Sequence, residues 1–260
     1  MKWVIQDNLY NEDGYVRFIE ALDNQKQDYE VVKVVPFAHE LIPDIDLNYR
    51  PILVMGSDSL IAAAQKKNWY PGAFTNPVTF HQSMWNRKLG INMLNYDAQI
   101  VKFGDVRAPN DSEEFFIRPA LDFKIFAGTV IDADSFEKWQ EKAVAYGDTL
   151  NADTEVVIAS PKVIYEEYRF FVVNFKIVTA SRYKIGNRVK PDTEVPSEAV
   201  QFVTDMTNYW NPDIAYVIDV AKTPKGFKVI EYNCINASGF YACDCEKIVS
   251  ALYEQVRWLK

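Results

Sequence analysis

At 260 residues and 30.0 kDa, with 48% hydrophobic and 25% charged residues, the chain has ordinary globular composition. It is long enough for one or two domains without a metal or disulfide staple. Twenty-eight basic against 36 acidic side chains give a net charge of −8, a poor footprint for a general duplex-DNA binder, which leaves open only a small nucleic-acid contact. Aromatics at 14% exclude disorder as the main state, and no apolar run approaches the ~18 residues of a membrane span.

The start of the chain lacks the apolar run of a secretory leader. The three cysteines, Cys234, Cys243 and Cys245, fit a reducing compartment with free thiols, so the expected location is the cytoplasm. The first third alternates strands and helices. Trp3-Val4-Ile5 is apolar, and Tyr15, Phe18, Ile19 and Leu22 fall at helical spacing. Glu30–Val35 and Pro51–Met55 read as strands, and Ser57 or Asp58 caps a helix through Lys66. Asn68–His81, with Pro71, Gly72 and Pro77, reads as a loop. Ala108-Pro109-Asn110 marks a break. Beyond it the pattern predicts strands at Glu114–Arg118, Glu155–Ala159, Glu167–Val173, Lys176–Tyr183, Ile214–Ala221 and Phe227–Asn233. Helices are expected from about Asp134, from Pro196-Ser197, and at the C-terminus. The expected fold class is an α/β unit (1–105) followed by an α+β unit (106–260) of antiparallel sheets with flanking helices.

Three constellations could carry chemistry. In the last hairpin, a three-residue loop at Pro224-Lys225-Gly226 would pair Thr223 with Phe227. That register sets Asp219 opposite Glu231, with Cβ atoms ~5 Å apart. Asn233 shares the face of Glu231 by strand alternation. Two facing carboxylates repel, and Mg²⁺ would relieve that repulsion; the same residues also read as a solvated sheet face. In the hairpin around Asn174-Phe175, the register places Glu167 opposite Arg182 with Arg169 on the same face. This is a phosphate clamp or a cross-strand ion pair. Arg118 ends the strand Phe115-Phe116-Ile117-Arg118, and Lys124 follows six residues later. The two present cations to one polyphosphate or are a strand-end Arg and a loop Lys. The aromatic region Trp69–Phe74 and Phe80–Trp85 reads as core or as a substrate wall. P-loop and dinucleotide-binding glycine patterns are absent, as is a G-x-S-x-G elbow.

Taken in order, FFIRP…K…G, then VVIASPKVIYEEYRFFVVNFKIVTASRY, then YVIDVAKTPKGFKVIEYNCINASGFY resembles the ATP-grasp superfamily, in particular its short phage and bacterial members. The resemblance covers roughly residues 110–245. It implies an ATP-grasp fold over 106–260 with a small β-rich lid at about 115–185, preceded by an α/β pre-domain. It implies ATP and Mg²⁺ as cofactors. It also implies a carboxylate–amine or carboxylate–thiol ligation through an acylphosphate, on small-molecule or peptide substrates. Carried over residue by residue, Arg118 and Lys124 match the phosphate cations. Ala159 and Ser160 match the hinge lining the adenine pocket. Asp219, Glu231 and Asn233 match the metal ligands. Glu167 matches a charged position facing the nucleotide, and Arg169 and Arg182 match those facing the reacting centre. Asn236 matches a phosphate or substrate contact. The sequence departs from the family at Arg118, where the first site lysine usually stands, and in a glycine-rich segment reduced to Phe126-Ala127-Gly128. A nucleotide-binding module without turnover and an ATP-dependent nucleic-acid-modifying enzyme are the alternatives. The acid, the amine and the oligomeric state are not legible.

Overall fold

The structure is a computed structural model that describes residues 1–7, 13–35, 38, 40–48, 51–107, 114–121, 125–146 and 150–259. Lys124 and the Ala108-Pro109-Asn110 break lie outside the described residues.

The first layer comprises β1 (Lys2–Gln6), α1 (Asp13–Asn24), β2 (Tyr29–Val35), β3 (Glu40–Ile42), β4 (Ile52–Met55), α2 (Asp58–Lys66) and β5 (Pro71–Gly72). Its sheet runs β3-β2-β1-β4-β5, parallel from β2 to β5 and antiparallel at β3. The strands read as near-continuous apolar runs because helices and the rest of the chain cover them. Ser57 is the N-cap of α2, but its hydroxyl makes no cap bond; it donates to Gln6 Oε1 at 2.8 Å.

A helix the sequence does not announce follows: α3 (Gln82–Leu89), capped by the His81 ring, whose Nδ1 accepts from the Ser83 amide. A four-stranded antiparallel sheet comes next, built from β6 (Gln99–Lys102), β7 (Phe115–Pro119), β8 (Thr129–Ile131) and, after α4 (Ala133–Tyr146), β9 (Glu155–Ala159). Its order is β6-β9-β7-β8. The core of this layer is Phe103, Phe115, Phe136 and Val156, with Trp139 packed at its edge. Gly128 belongs here for packing reasons, since a Cβ would sit 2.8 Å from the Phe116 ring.

The third layer holds β10 (Glu166–Val173), β11 (Lys176–Ile185), β12 (Arg188–Asp192), α5 (Ser197–Tyr209), β13 (Ala215–Thr223), β14 (Gly226–Asn233) and α6 (Cys245–Val256). Its sheet is antiparallel in the order β12-β11-β10-β13-β14. The strands expected in a lid at 115–185 therefore divide between two sheets. Alternation gives the third sheet two distinct faces. On one, Tyr168, Phe170, Val172, Tyr216, Ile218 and Tyr232 meet α5 and the Trp85 side of α3. On the other, Phe171, Val173 and Val217 join Trp3, Phe18, Leu22, Phe240 and Leu252, so α1, α6 and the first sheet share one core with the third. Burying each of these large side chains contributes about 1.5–3 kcal/mol. The polar residues Arg169, Asp219 and Asn233 continue this second face beyond the apolar part.

Candidate active site

The hairpin β13–β14 pairs Asp219 with Glu231 as expected, but by another route. The turn is a two-residue one, Pro224-Lys225, closed by Thr223 opposite Gly226 at φ 89°, a conformation suited to glycine. That alone would slip the pairing by one residue. A bulge between Asp219 and Val220 restores it.

The two carboxylates do not stand against each other unshielded. Arg169, three positions in from the start of β10 and directly opposite Asp219, grips that carboxylate with a fork: Nε donates to Oδ1 at 2.9 Å and Nη2 to Oδ2 at 2.7 Å. Its Nη1 donates to the Gly239 carbonyl at 3.0 Å. Asp219 is only 1% exposed. Burial pushes its carboxyl above the usual range against the pull of Arg169. Burial also works against the Arg169 charge, but Asp219 outweighs it and holds the guanidinium firmly protonated. Glu231 is paired instead across sheets: Arg118 Nη1 on β7 donates to its Oε2 at 2.8 Å. Asn233 stands between, its amide nitrogen 3.2 Å from Asp219 Oδ2 and 3.2 Å from Glu231 Oε1. The result is a continuous row, Arg118–Glu231–Asn233–Asp219–Arg169, joining the four-stranded and C-terminal sheets.

Arg118 owes its place to Gln82, which the sequence reading did not select, and to Trp85, which it read as core or as a substrate wall. Its Nη2 donates to Gln82 Oε1, and its guanidinium lies 5.0 Å from the centre of the Trp85 ring. Gln82 and Trp85 are both fully buried. The aromatic stretch before it is core too, with Trp69, Phe74 and Phe80 all buried. Flanking Arg169, Tyr183 and Tyr241 stack at 4.7 Å and 10°. The Tyr183 hydroxyl donates to Glu167 Oε2 at 2.5 Å, and Lys184 pairs with the other Glu167 oxygen at 2.7 Å. Burial, then the nearby Asp219 and Glu167 charges, raise the Tyr183 phenol well above its ordinary value, so it acts as a donor.

Two expectations need correction. Register shifts at Glu167/Tyr168 and Phe171/Val172 set Arg182 opposite Tyr168 rather than Glu167, and Lys184 takes the position facing Glu167. Arg182 thereby lies on the α5 face, bonded to Glu166 at 3.0 Å and Asp192 at 3.2 Å, away from Arg169. Asn236 is fully buried with both ends of its amide committed: it donates to the Val54 carbonyl at 2.7 Å and accepts from the Phe74 amide at 2.8 Å. It ties the turn after β14 to the first layer. Ala159 is buried and Ser160 exposed at the end of β9, where the chain crosses to β10. Lys162 in this crossing is fixed to Asp97 at 2.8 Å and to the Ser160 hydroxyl at 3.1 Å. The cysteines are buried free thiols. Among the described residues no group of three or more His, Cys, Asp or Glu side chains forms a metal cluster, and no helix is long and apolar enough to cross a membrane.

A search of curated protein sequences returns no match. Solved structures with the same fold include D-cycloserine synthetase DcsG, at 10% identity and TM-score 0.62 over 97% of this chain and 98% of that one. They also include D-alanine–D-alanine ligase from Bacillus anthracis complexed with ATP (14%, 0.57, 98% and 96%). A third is the ATP-grasp ligase PsnB complexed with a minimal precursor (10%, 0.56, 98% and 99%). A family model described as the ATP-grasp domain, R2K clade family 3, matches residues 55–252, and the chain belongs to that family.

Proposed function

We propose that the chain is an ATP- and Mg²⁺-dependent ligase that joins a carboxylate to an amine or thiol through an acylphosphate. The observation that carries this reading is the row Arg118–Glu231–Asn233–Asp219–Arg169, in which two carboxylates and an amide alternate with two arginines at the junction of two sheets. Membership of an ATP-grasp family supports ATP as the phosphoryl donor. The neighbours' own names, two ligases and a synthetase, support bond formation as the outcome.

The donor set fits a hard divalent cation, which takes carboxylate and amide oxygens. Glu231 and Asn233 would hold the ion, with Asp219 behind them as the second charge; Asn233 would turn its amide to present oxygen where it now presents nitrogen. Bound there, Mg²⁺ would neutralise phosphate charge during transfer. The protein's own part is placement. Arg118, stacked on Trp85 and tied to Gln82, offers a fixed guanidinium to phosphate oxygens. Arg169 acts through Asp219 by fixing its carboxylate. Glu167, set by Tyr183 and Lys184, lines the same face. Ala159 and Ser160 border the nucleotide where the chain crosses between sheets. Lys124 remains a phosphate cation in this proposal. Arg182 and Asn236 are not part of it.

The test is isotopic. A panel of carboxylic acids labelled with ¹⁸O, each paired with amines and thiols, is incubated with Mg·ATP, and ADP and phosphate are analysed by mass spectrometry. Transfer of one ¹⁸O into phosphate, dependent on the acid, is the expected result, because an acylphosphate releases a carboxylate oxygen with the phosphate. Mg·ATP binding with no ADP release across the panel favours a nucleotide-binding module instead.

A further inference from the structure

The loop after β14 returns to the site and is held there by a residue more than two hundred positions earlier. Arg17, on α1, donates Nη1 to the Cys243 carbonyl at 2.8 Å and Nη2 to the Tyr241 carbonyl. At the first of those carbonyls the backbone is unusual: Tyr241 has φ 46°, the left-handed region that a tyrosine rarely adopts unless its surroundings hold it. The same loop touches the site three ways. The Gly239 carbonyl accepts from Arg169. The Tyr241 ring lies 4.9 Å from the Arg169 guanidinium. It also stacks on Tyr183, the partner of Glu167. The other face of the loop is packed: Phe240 stacks on Phe18 of α1 at 4.8 Å, and the Cys243 thiol is buried against Ser181 Oγ at 3.3 Å.

We propose that Arg17 is a positioning residue: its two-pronged grip on the Tyr241 and Cys243 carbonyls fixes the Tyr241 ring and the Gly239 carbonyl, and through them the Arg169–Asp219 pair. Among the described residues no hydrogen bond or ion pair joins Arg17 to a charged side chain of the site, so its influence runs through the loop. A guanidinium suits the task because its planar fork serves two carbonyls at once, which a lysine ammonium on a flexible stem does less well. The role gives the first layer a purpose in the site beyond packing, since α1 supplies the clasp and the C-terminal sheet supplies the charges.

The consequence for turnover rests on the ligase reading; the clasp itself does not, and the experiment separates them. The first arm uses no nucleotide. Cys243 is fully buried and burial pushes its thiol up to about 12, so N-ethylmaleimide at neutral pH should label it only through opening of the loop. Peptide mapping of the labelled folded chain should show Cys243 modified at least about 10-fold faster in Arg17→Met than in wild type, with Arg17→Lys between them. Cys234, at the start of the loop but packed in the core of the first layer, should label at an unchanged rate. The second arm measures Mg·ADP affinity by calorimetry and ADP release with an acid–amine pair found active. Arg17→Met should leave the Mg·ADP Kd within about 3-fold and lower kcat at least about 10-fold. Tyr241→Ala should lower kcat similarly, and the double variant should be no worse than the poorer single one, as expected for two residues acting through one element. Equal labelling of Cys243 in wild type and Arg17→Met overturns the clasp, whatever the enzyme's activity. Faster labelling with kcat unchanged, or losses that simply multiply in the double variant, overturns the positioning role. A wild-type chain that binds Mg·ADP and releases no ADP from any pair sinks the ligase reading and the positioning role with it, while the labelling arm still decides the clasp.

Discussion

Substituting Asp219 tests whether the carboxylate row is organised by repulsion or by its arginines. Two facing carboxylates without metal would be relieved by Asp219→Asn, and the variant would be as stable as wild type or more so. The structure predicts the reverse. Asp219 and Arg169 have side chains 1% and 10% exposed and share two hydrogen bonds of 2.7 and 2.9 Å. Removing one partner of such a pair strands a buried charge, at about 3–5 kcal/mol. Asp219→Ala should approach that figure. Asp219→Asn keeps one acceptor for the Arg169 fork, so about 2–3 kcal/mol is expected, the loss of one charge-assisted bond together with part of the stranded charge. Glu231→Gln is the control. Its side chain is 27% exposed, and although Arg118 is itself only 7% exposed, it keeps Gln82 and a neutral amide acceptor, so the cost should be about 1–1.5 kcal/mol, below that of Asp219→Asn. Urea unfolding followed by circular dichroism and tryptophan fluorescence gives the numbers, provided the two probes coincide. With m near 2–3 kcal/mol/M, the Asp219→Asn midpoint should fall by about 1 M at unchanged m. Arg169→Met in the Asp219→Asn background should be less harmful than in wild type. An Asp219→Asn midpoint equal to or above wild type would refute the reasoning and restore repulsion as the governing term.

Three further outcomes are expected. Arg182→Lys should lower stability by about 1–1.5 kcal/mol, because lysine can hold Glu166 or Asp192 but not both, and should leave ATP affinity and turnover within about 3-fold; a tenfold loss of turnover would bring Arg182 back into the site. Partial burial opposes the Glu166 charge, but Tyr168, Lys222 and Arg182 hold its pKa below the usual carboxylate value of 4.5. Its stabilisation is therefore present above that value and lost as pH falls through the lower folded one. Glu166→Gln should flatten the acid limb of a stability–pH curve, and an unchanged limb in urea titrations would deny the network. Gln82→Ala should weaken Mg·ADP binding about 5-fold, near 1 kcal/mol, with adenosine unaffected; equal losses for both ligands would assign Gln82 to the fold alone.

The strands and helices that recur with clear periodicity were legible. Glu155–Ala159 appears with its expected bounds, and the α1, α4, α5 and α6 helices lie where the apolar spacing puts them. What escaped is what depends on irregularity. Helix α3 is short, and its N-cap is a histidine rather than one of the usual capping residues. Gln82 therefore sat unrecognised, and Trp85, read as core or as a substrate wall, was not connected with Arg118. In the β10–β11 hairpin, the expected pairing of Val173 with Lys176 is correct at the turn, yet one shift, between Phe171 and Val172, carries Arg182 to the wrong face, and a second beyond it sets Lys184 opposite Glu167. One residue of slip exchanges the faces of everything beyond it.

The β13–β14 hairpin shows the same physics with the opposite outcome. There a turn one residue shorter than expected and a bulge cancel, so Asp219 meets Glu231 although the intermediate reasoning differs from the structure. The pair was accessible from sequence because both carboxylates lie within one hairpin, twelve residues apart across a single turn. Their counter-ions were not. Arg169 is 50 residues from Asp219 and Arg118 is 113 residues from Glu231, each delivered by a different strand. A reading confined to one hairpin sees two like charges and asks for a metal to neutralise them. The fold supplies two arginines and an amide first. Any divalent cation that binds must therefore compete with Arg118 for Glu231 and with the Asn233 amide for the space between the carboxylates, and the Arg118 guanidinium so displaced remains anchored by Gln82 and Trp85, beside the same carboxylate.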